Sequence, residues 1–180
     1  MPQTPFEVDD AIVLLLGAPT KFPSLKGRLE GITRLEKLVF IMEKETEVGG
    51  YLTEEPDFQP HHFGPFSEKI YHAVETLEAA GLLRETAKLS GSPEDSWESA
   101  NIIGDDDEAP YATRDFELTA MGRRYFDALA RELPKGAVDA VSNLKDQFGG
   151  VPLKQLIRYV YQRHPKFTER SKIRGQILGR

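Results

Sequence analysis

The stretch His61-His62-Phe63-Gly64-Pro65-Phe66-Ser67, continuing through Glu68 to Gly81 and into Leu82-Leu83, constrains what this chain can fold into more than any other. Asp57 to Phe63 reads as a short strand, Gly64-Pro65 as a turn, and Ser67 as the cap of a helix. Within that helix Ile70, Ala73, Val74 and Leu77 recur at the spacing of one buried face, which leaves Glu68, Lys69, His72, Glu75 and Thr76 outward. Gly81 can take the left-handed conformation that stops a helix. Leu82 to Leu89 then reads as a strand, with Tyr111 to Leu118 as its returning partner. A helix feeding a two-stranded ribbon is the core of a winged helix-turn-helix, a scaffold suited to binding more than to chemistry.

The rest of the chain is helical in pattern. Asp9 to Leu16 reads as a short apolar helix, with Asp9 and Asp10 suited to its positive N-terminal end. Thr33-x-x-Glu36 matches a capping box at the start of the next helix. Its buried stripe is Ile32, Leu35, Leu38, Val39 and Met42, widened by Phe40 and Ile41, so this helix is expected at the centre, and Gly49-Gly50 ends the region. Thr119 caps a helix running to about Leu133, Ala137 to Phe148 forms another, and Pro152 opens the last, whose stripe is Leu153, Leu156, Ile157 and Val160 and which Pro165 ends. The expected fold is mainly α with a small antiparallel β-hairpin. Residues 1–133 form the winged-helix core, with a long acidic hairpin tip over 90–110, and residues 134–180 form a C-terminal helical extension and basic tail packed on that core as one domain.

A length of 180 residues suits one domain with an elaboration. The absence of cysteine excludes disulfides, thiol catalysis and thiolate zinc sites. The longest apolar run, Ala11 to Leu16, is far short of the roughly 20 residues that span a bilayer and lacks the flanks of a signal peptide, so no membrane association and a cytoplasmic location are expected. Charge is unevenly spread. Residues 151–180 carry eight cations against Glu169, a local balance of +7, and the net charge of −6 therefore leaves −13 on residues 1–150. The tail either seeks an acidic surface or docks on its own acidic body.

The constellations point to binding. The outward helix face sets Glu68, Glu75 and Glu78 against Lys69 and His72, an arrangement that phosphates would repel, so Glu68, His72 and Glu75 are candidate contacts for a protein partner. Ser90 to Ala112 holds seven acidic residues and no Lys or Arg. Its apolar residues Trp97, Ile102 and Ile103 either anchor a partner or pin the loop to its own domain. Lys166, Arg170, Lys172 and Arg174, with Phe167, are the candidates for following a nucleic-acid backbone. Asp105-Asp106-Asp107-Glu108 lacks the alternating ligands of a calcium loop. His62, His72 and a carboxylate are the one zinc arrangement the sequence offers, and structural histidines account for the same residues. No phosphate loop or nucleophile elbow occurs. Neither metal, cofactor nor catalytic residues are expected.

Several short motifs resemble a known family. Arg34-Leu35-Glu36-Lys37-Leu38-Val39-Phe40, His62-Phe63-Gly64-Pro65-Phe66-Ser67, Leu77-x-x-x-Gly81-Leu82-Leu83 and Tyr161-x-x-His164-Pro165-Lys166-Phe167 are similar to small bacterial and archaeal proteins of the YwgA-like type, relatives of the SocA-like or Panacea antitoxin domain. Phe116-x-Leu118-Thr119-x-x-Gly122 is similar to the end of the wing in many winged-helix regulators. The resemblance implies a helical protein with a winged-helix core and no catalytic residues to carry over. Members of the antitoxin branch bind a partner protein, as neutralisers or as adaptors for proteolysis. The long acidic tip departs from the compact family pattern. The expectation is a non-enzymatic, antitoxin- or adaptor-like regulatory protein that binds another protein, for which homo-oligomers are compatible. The alternative is a transcription regulator that binds DNA through the winged helix or the basic tail.

Overall fold

The computed structural model of the protein describes residues 5–61, 64–90, 111–169, 171 and 174–178, with the side chains of 87–90, 111–113, 174 and 176 outside the description. The chain runs α1 (Val8–Gly17), a 3-10 turn (Pro23–Leu25), β1 (Arg28–Glu30), α2 (Ile32–Glu45), a second 3-10 turn (Glu47–Tyr51), β2 (Gln59–His61), β3 (Gly64–Phe66), α3 (Glu68–Ala79), β4 (Leu83–Ser90) and β5 (Tyr111–Leu118). It then continues through α4 (Ala120–Glu132), α5 (Lys135–Phe148), α6 (Leu153–Arg163), a third 3-10 turn (Pro165–Thr168) and α7 (Arg174–Leu178). The protein is mainly helical with a small antiparallel sheet of order β1-β5-β4, and β2 and β3 form a separate two-stranded ribbon. Register pairs Leu29 with Phe116 and Leu83 with Leu118, and all four side chains are buried.

α2 is central, as its broad apolar surface predicts. Every residue from Ile32 to Met42 is buried except Arg34. One hydrophobic cluster joins it to α1, α3 and the inner faces of α5 and α6, so the C-terminal helices pack on the same core as the N-terminal ones. No helix among the described residues is long and apolar enough to cross a membrane.

Four local expectations are corrected. Thr33-x-x-Glu36 is not a capping box. Gly31, with φ 91°, is the N-cap, and Leu35 N donates to Gly31 O at 3.1 Å, so the helix starts earlier and carries Thr33 and Glu36 inside the core. Gly64-Pro65 is not a turn but part of β3, where Pro65 lies opposite Pro60 and neither needs an amide hydrogen. Ser67 is the N-cap of α3, yet its hydroxyl donates to Pro56 O instead of capping the helix. α6 is not the last helix: the Pro165–Thr168 turn and α7 follow, and Ile177 of α7 is buried. Lesser differences are that α2 stops at Glu45, with Gly49-Gly50 inside the second 3-10 turn, and that α5 begins at Lys135.

The corner between the sheet and α4 follows the expected cap. Thr119 Oγ1 accepts from Gly122 N at 3.0 Å and donates to Gly81 O at 2.6 Å, while Thr119 N donates to Leu82 O at 3.1 Å. A Cβ on Gly122 would sit 2.0 Å from Leu82 O, so only glycine allows this approach. Gly81 itself holds φ 78° as α3 ends.

Candidate functional site

The outward face of α3 is built by its period. Ile70, Ala73, Val74 and Leu77 are buried, which fixes the helix rotation and turns Glu68, His72, Glu75, Thr76 and Glu78 to solvent. His72 Nδ1 lies 4.0 Å from Glu75 Oε2, with both side chains exposed. The loop that carries Glu54, Glu55 and Asp57 lies beside this face. Asp57 holds φ 55°, a left-handed conformation that Asp tolerates better than most residues, and it bends the loop back towards α3.

That loop captures Lys69. Its ammonium lies 2.7 Å from Glu54 and 2.8 Å from Asp57 and donates to Glu55 O at 2.8 Å. Bonds to Asp57 and then Glu54 push the lysine above its ordinary value. Lys69 is the one lysine or arginine of α3, and carboxylates already surround it. Between α3 and the start of α1 is a hollow of about 190 Å³ lined by Glu7, Asp9, Glu54, Lys69, His72 and Thr76 among others. Asp9 is raised by burial, then by Glu7, Asp10 and Glu54, which marks the hollow as electronegative.

The site is anchored from below. Glu36 accepts from Ser67 N at 3.1 Å and from Lys37 Nζ at 2.9 Å, and Lys37 also donates to Pro65 O at 2.9 Å. This wholly buried pair therefore fixes both residues that lead into α3. Burial pushes the Glu36 carboxyl up, against the lowering effect of the Lys37 ammonium and the Ser67 amide.

Of the residues expected to act, Glu68, His72 and Glu75 share the exposed side of α3. Trp97, Ile102, Ile103, Arg170 and Lys172 lie outside the described residues, as does His62, and Arg174 is described in its backbone alone. Lys166 is exposed on the third 3-10 turn. Two of the four C-terminal cations with described side chains, Arg158 and Arg163, meet the protein's own body. Arg163 Nε and His164 Nε2 each lie 3.0 Å from the Glu45 carboxylate, Tyr159 donates to it at 2.7 Å, and Arg158 Nε donates to Ile177 O at 2.9 Å. Phe167 packs edge-on to Phe40 at 5.0 Å. Among the described residues no cluster of three or more His, Asp or Glu is disposed to hold a metal ion.

Sequence patterns did not single out Glu54, Asp57, Glu7 and Asp9 as parts of this face. The signal for the first two is the run Glu54-Glu55-Pro56-Asp57, acidic and helix-breaking just before α3. No protein-family model matches the chain, and no curated protein matches it.

Proposed function

We propose that this chain is a non-enzymatic winged-helix regulatory protein that binds another protein through the outward face of α3, in the manner of an antitoxin or an adaptor, and works in the cytoplasm. The order α1-β1-α2-α3-β4-β5 with sheet order β1-β5-β4 supports the winged-helix assignment, with β2 and β3 inserted between the paired helices. One observation carries the choice of partner: Lys69 is bound by Glu54 and Asp57, beside exposed Glu68, Glu75 and Glu78. A helix that enters a DNA groove draws affinity from cations free to meet phosphates. This one offers carboxylates, which suit a basic protein surface.

The test is affinity capture of the tagged full chain from native lysate, beside the double variant Glu68→Lys, Glu75→Lys. The expected result is a stoichiometric protein with a basic binding surface, lost with the variant. Capture unaffected by the variant removes α3 from the interface. Sequence-specific retention of duplex DNA by the wild-type protein at physiological salt would favour the transcription-regulator alternative instead.

A further inference from the structure

A second concavity, of about 390 Å³, opens away from α3, where the end of α1 and the approach to β1 meet the end of β5 and α4. Gly17, Lys26, Leu118, Arg123, Phe126 and Asp127 form the part that matters here. Its volume falls within the roughly 300–1,000 Å³ of small-molecule sites. Leu118 is buried and Phe126 half-buried, so the floor is apolar. The ring of Phe126 lies flush on Gly17, where a Cβ would come within 2.4 Å of it.

The wall of this cleft is held rigidly from behind. Lys145 Nζ, on α5, donates to Leu16 O at 2.6 Å and to Ala18 O at 3.4 Å. Ser142 Oγ donates to Pro19 O, and Asp146 accepts from Thr20 Oγ1 at 2.5 Å and from Lys21 N at 3.1 Å. Three residues of α5 thus satisfy five polar groups between Leu16 and Lys21, where the chain leaves α1. The cleft is preformed, which lowers the ordering cost of a ligand.

Its open side has charge to spare. The Arg123 guanidinium lies over Gly27, with Nη2 3.3 Å from where a Cβ would be, next to Lys26 in sequence. Among the described residues, the side chains of Arg123 and Lys26 are exposed and have neither hydrogen-bond nor ion-pair partners, and the Asp127 carboxylate is likewise unpaired. Two cations against one anion leave a single surplus positive charge beside an apolar floor.

We propose that this cleft binds a small organic monoanion: a carboxylate on a flat apolar body. Arg123 receives the carboxylate through its planar fork with Lys26 alongside, and Phe126 and Leu118 take the body. Asp127 repels a second negative charge, which selects monoanions over phosphate monoesters. α3 contributes no residue to this site and the titration is run without a protein partner, so failure here and failure of the protein-binding reading are distinguishable.

The test is titration of the full-length protein with 2-naphthoate, followed by backbone amide NMR shifts, with 2-naphthamide as the uncharged isostere. The expected result is saturable binding with the largest shifts at Gly17, Gly27 and Arg123. Loss of a charge-assisted contact weakens binding by about tenfold, so the amide, Arg123→Gln and Lys26→Gln should each bind about that much more weakly. Both side chains are exposed and unpaired, so the variants keep the fold, checked by unchanged shifts elsewhere. Absence of shifts at millimolar naphthoate, shifts centred elsewhere, or equal binding of acid and amide would each overturn the assignment. Equal binding by wild type and both variants would do the same.

Discussion

Lys37 and Lys145 are both wholly buried, one at the joint ahead of α3 and one behind the α1–α4 cleft, and their surroundings differ in kind. Lys37 meets a carboxylate, Glu36, and shares with it the task of holding Pro65 and Ser67 ahead of α3. Lys145 meets only carbonyl oxygens at the C-terminal end of α1, where the helix dipole is negative. Burial pulls its ammonium down to about 8, with Asp146 opposing. A buried cation with a buried anion depends on that anion being present. One solvated by carbonyls depends instead on the pH.

The largest expected effect breaks the first arrangement. Glu36→Ala strands the Lys37 ammonium in the core and should cost about 3–5 kcal/mol in urea unfolding. Replacing both residues, Glu36→Leu with Lys37→Met, should cost less than Glu36→Ala alone, because no uncompensated charge then remains. A double variant at least as unstable as the single one would show that the hydrogen bonds to Pro65 and Ser67, not the ion pair, hold this joint.

Next in size is a pH effect at Lys145. The folded protein releases this proton near 8, below the ordinary lysine value of 10.5, so between those values the unfolded chain holds more protons. The Lys145 contribution to stability should therefore rise with pH, by about 2 kcal/mol from pH 8 to 10, read as the difference in urea unfolding between the wild-type protein and Lys145→Met. For the wild-type protein alone the window closes towards pH 10 because burial pushes Tyr161 up to about 12 and raises Tyr125 and Tyr159 too, so the unfolded chain loses these phenol protons first, which lowers stability. At pH 7 the cost of Lys145→Met should be within about 1 kcal/mol, since relief of a buried charge offsets the orphaned carbonyls. A difference that stays constant from pH 8 to 10 would mean that the carbonyls stabilise the ammonium as well as water does.

The smallest effect sharpens the contrast within the first joint. Ser67→Ala removes the bond to Pro56 O and should cost about 1 kcal/mol in thermal unfolding, because only a neutral hydrogen bond is lost there. A loss as large as that of Glu36→Ala would make the hydroxyl, not the pair, the main tie between this loop and α3.

The helices and the β4–β5 hairpin were legible because they rest on local periodicity. The stripe Ile70, Ala73, Val74 and Leu77 fixed both faces of α3, and the Thr119 cap and Gly81 stop were readable from residue chemistry. The buried pair was not. Thr33-x-x-Glu36 fits the spacing of a capping box, and only the positive φ at Gly31 together with the β2–β3 ribbon lying over Glu36 reveals otherwise. Gly64-Pro65 looked like punctuation because composition does not show that Pro65 faces another proline across a ladder. The capture of Lys69 by Glu54 and Asp57 joins residues 12 to 15 positions apart through a loop whose path depends on one left-handed Asp. The α1–α4 cleft draws its walls from segments about a hundred residues apart, beyond any local pattern.

The Thr119 corner has a mechanical consequence. Its amide and hydroxyl hold the carbonyls of Leu82 and Gly81, which immediately follow α3, while the same residue begins α4. A tilt of α3 against whatever it touches must either break both bonds or swing α4 with it. The two helices therefore share a hinge pin, and Phe126, about two turns further along α4, moves as the far arm of that lever.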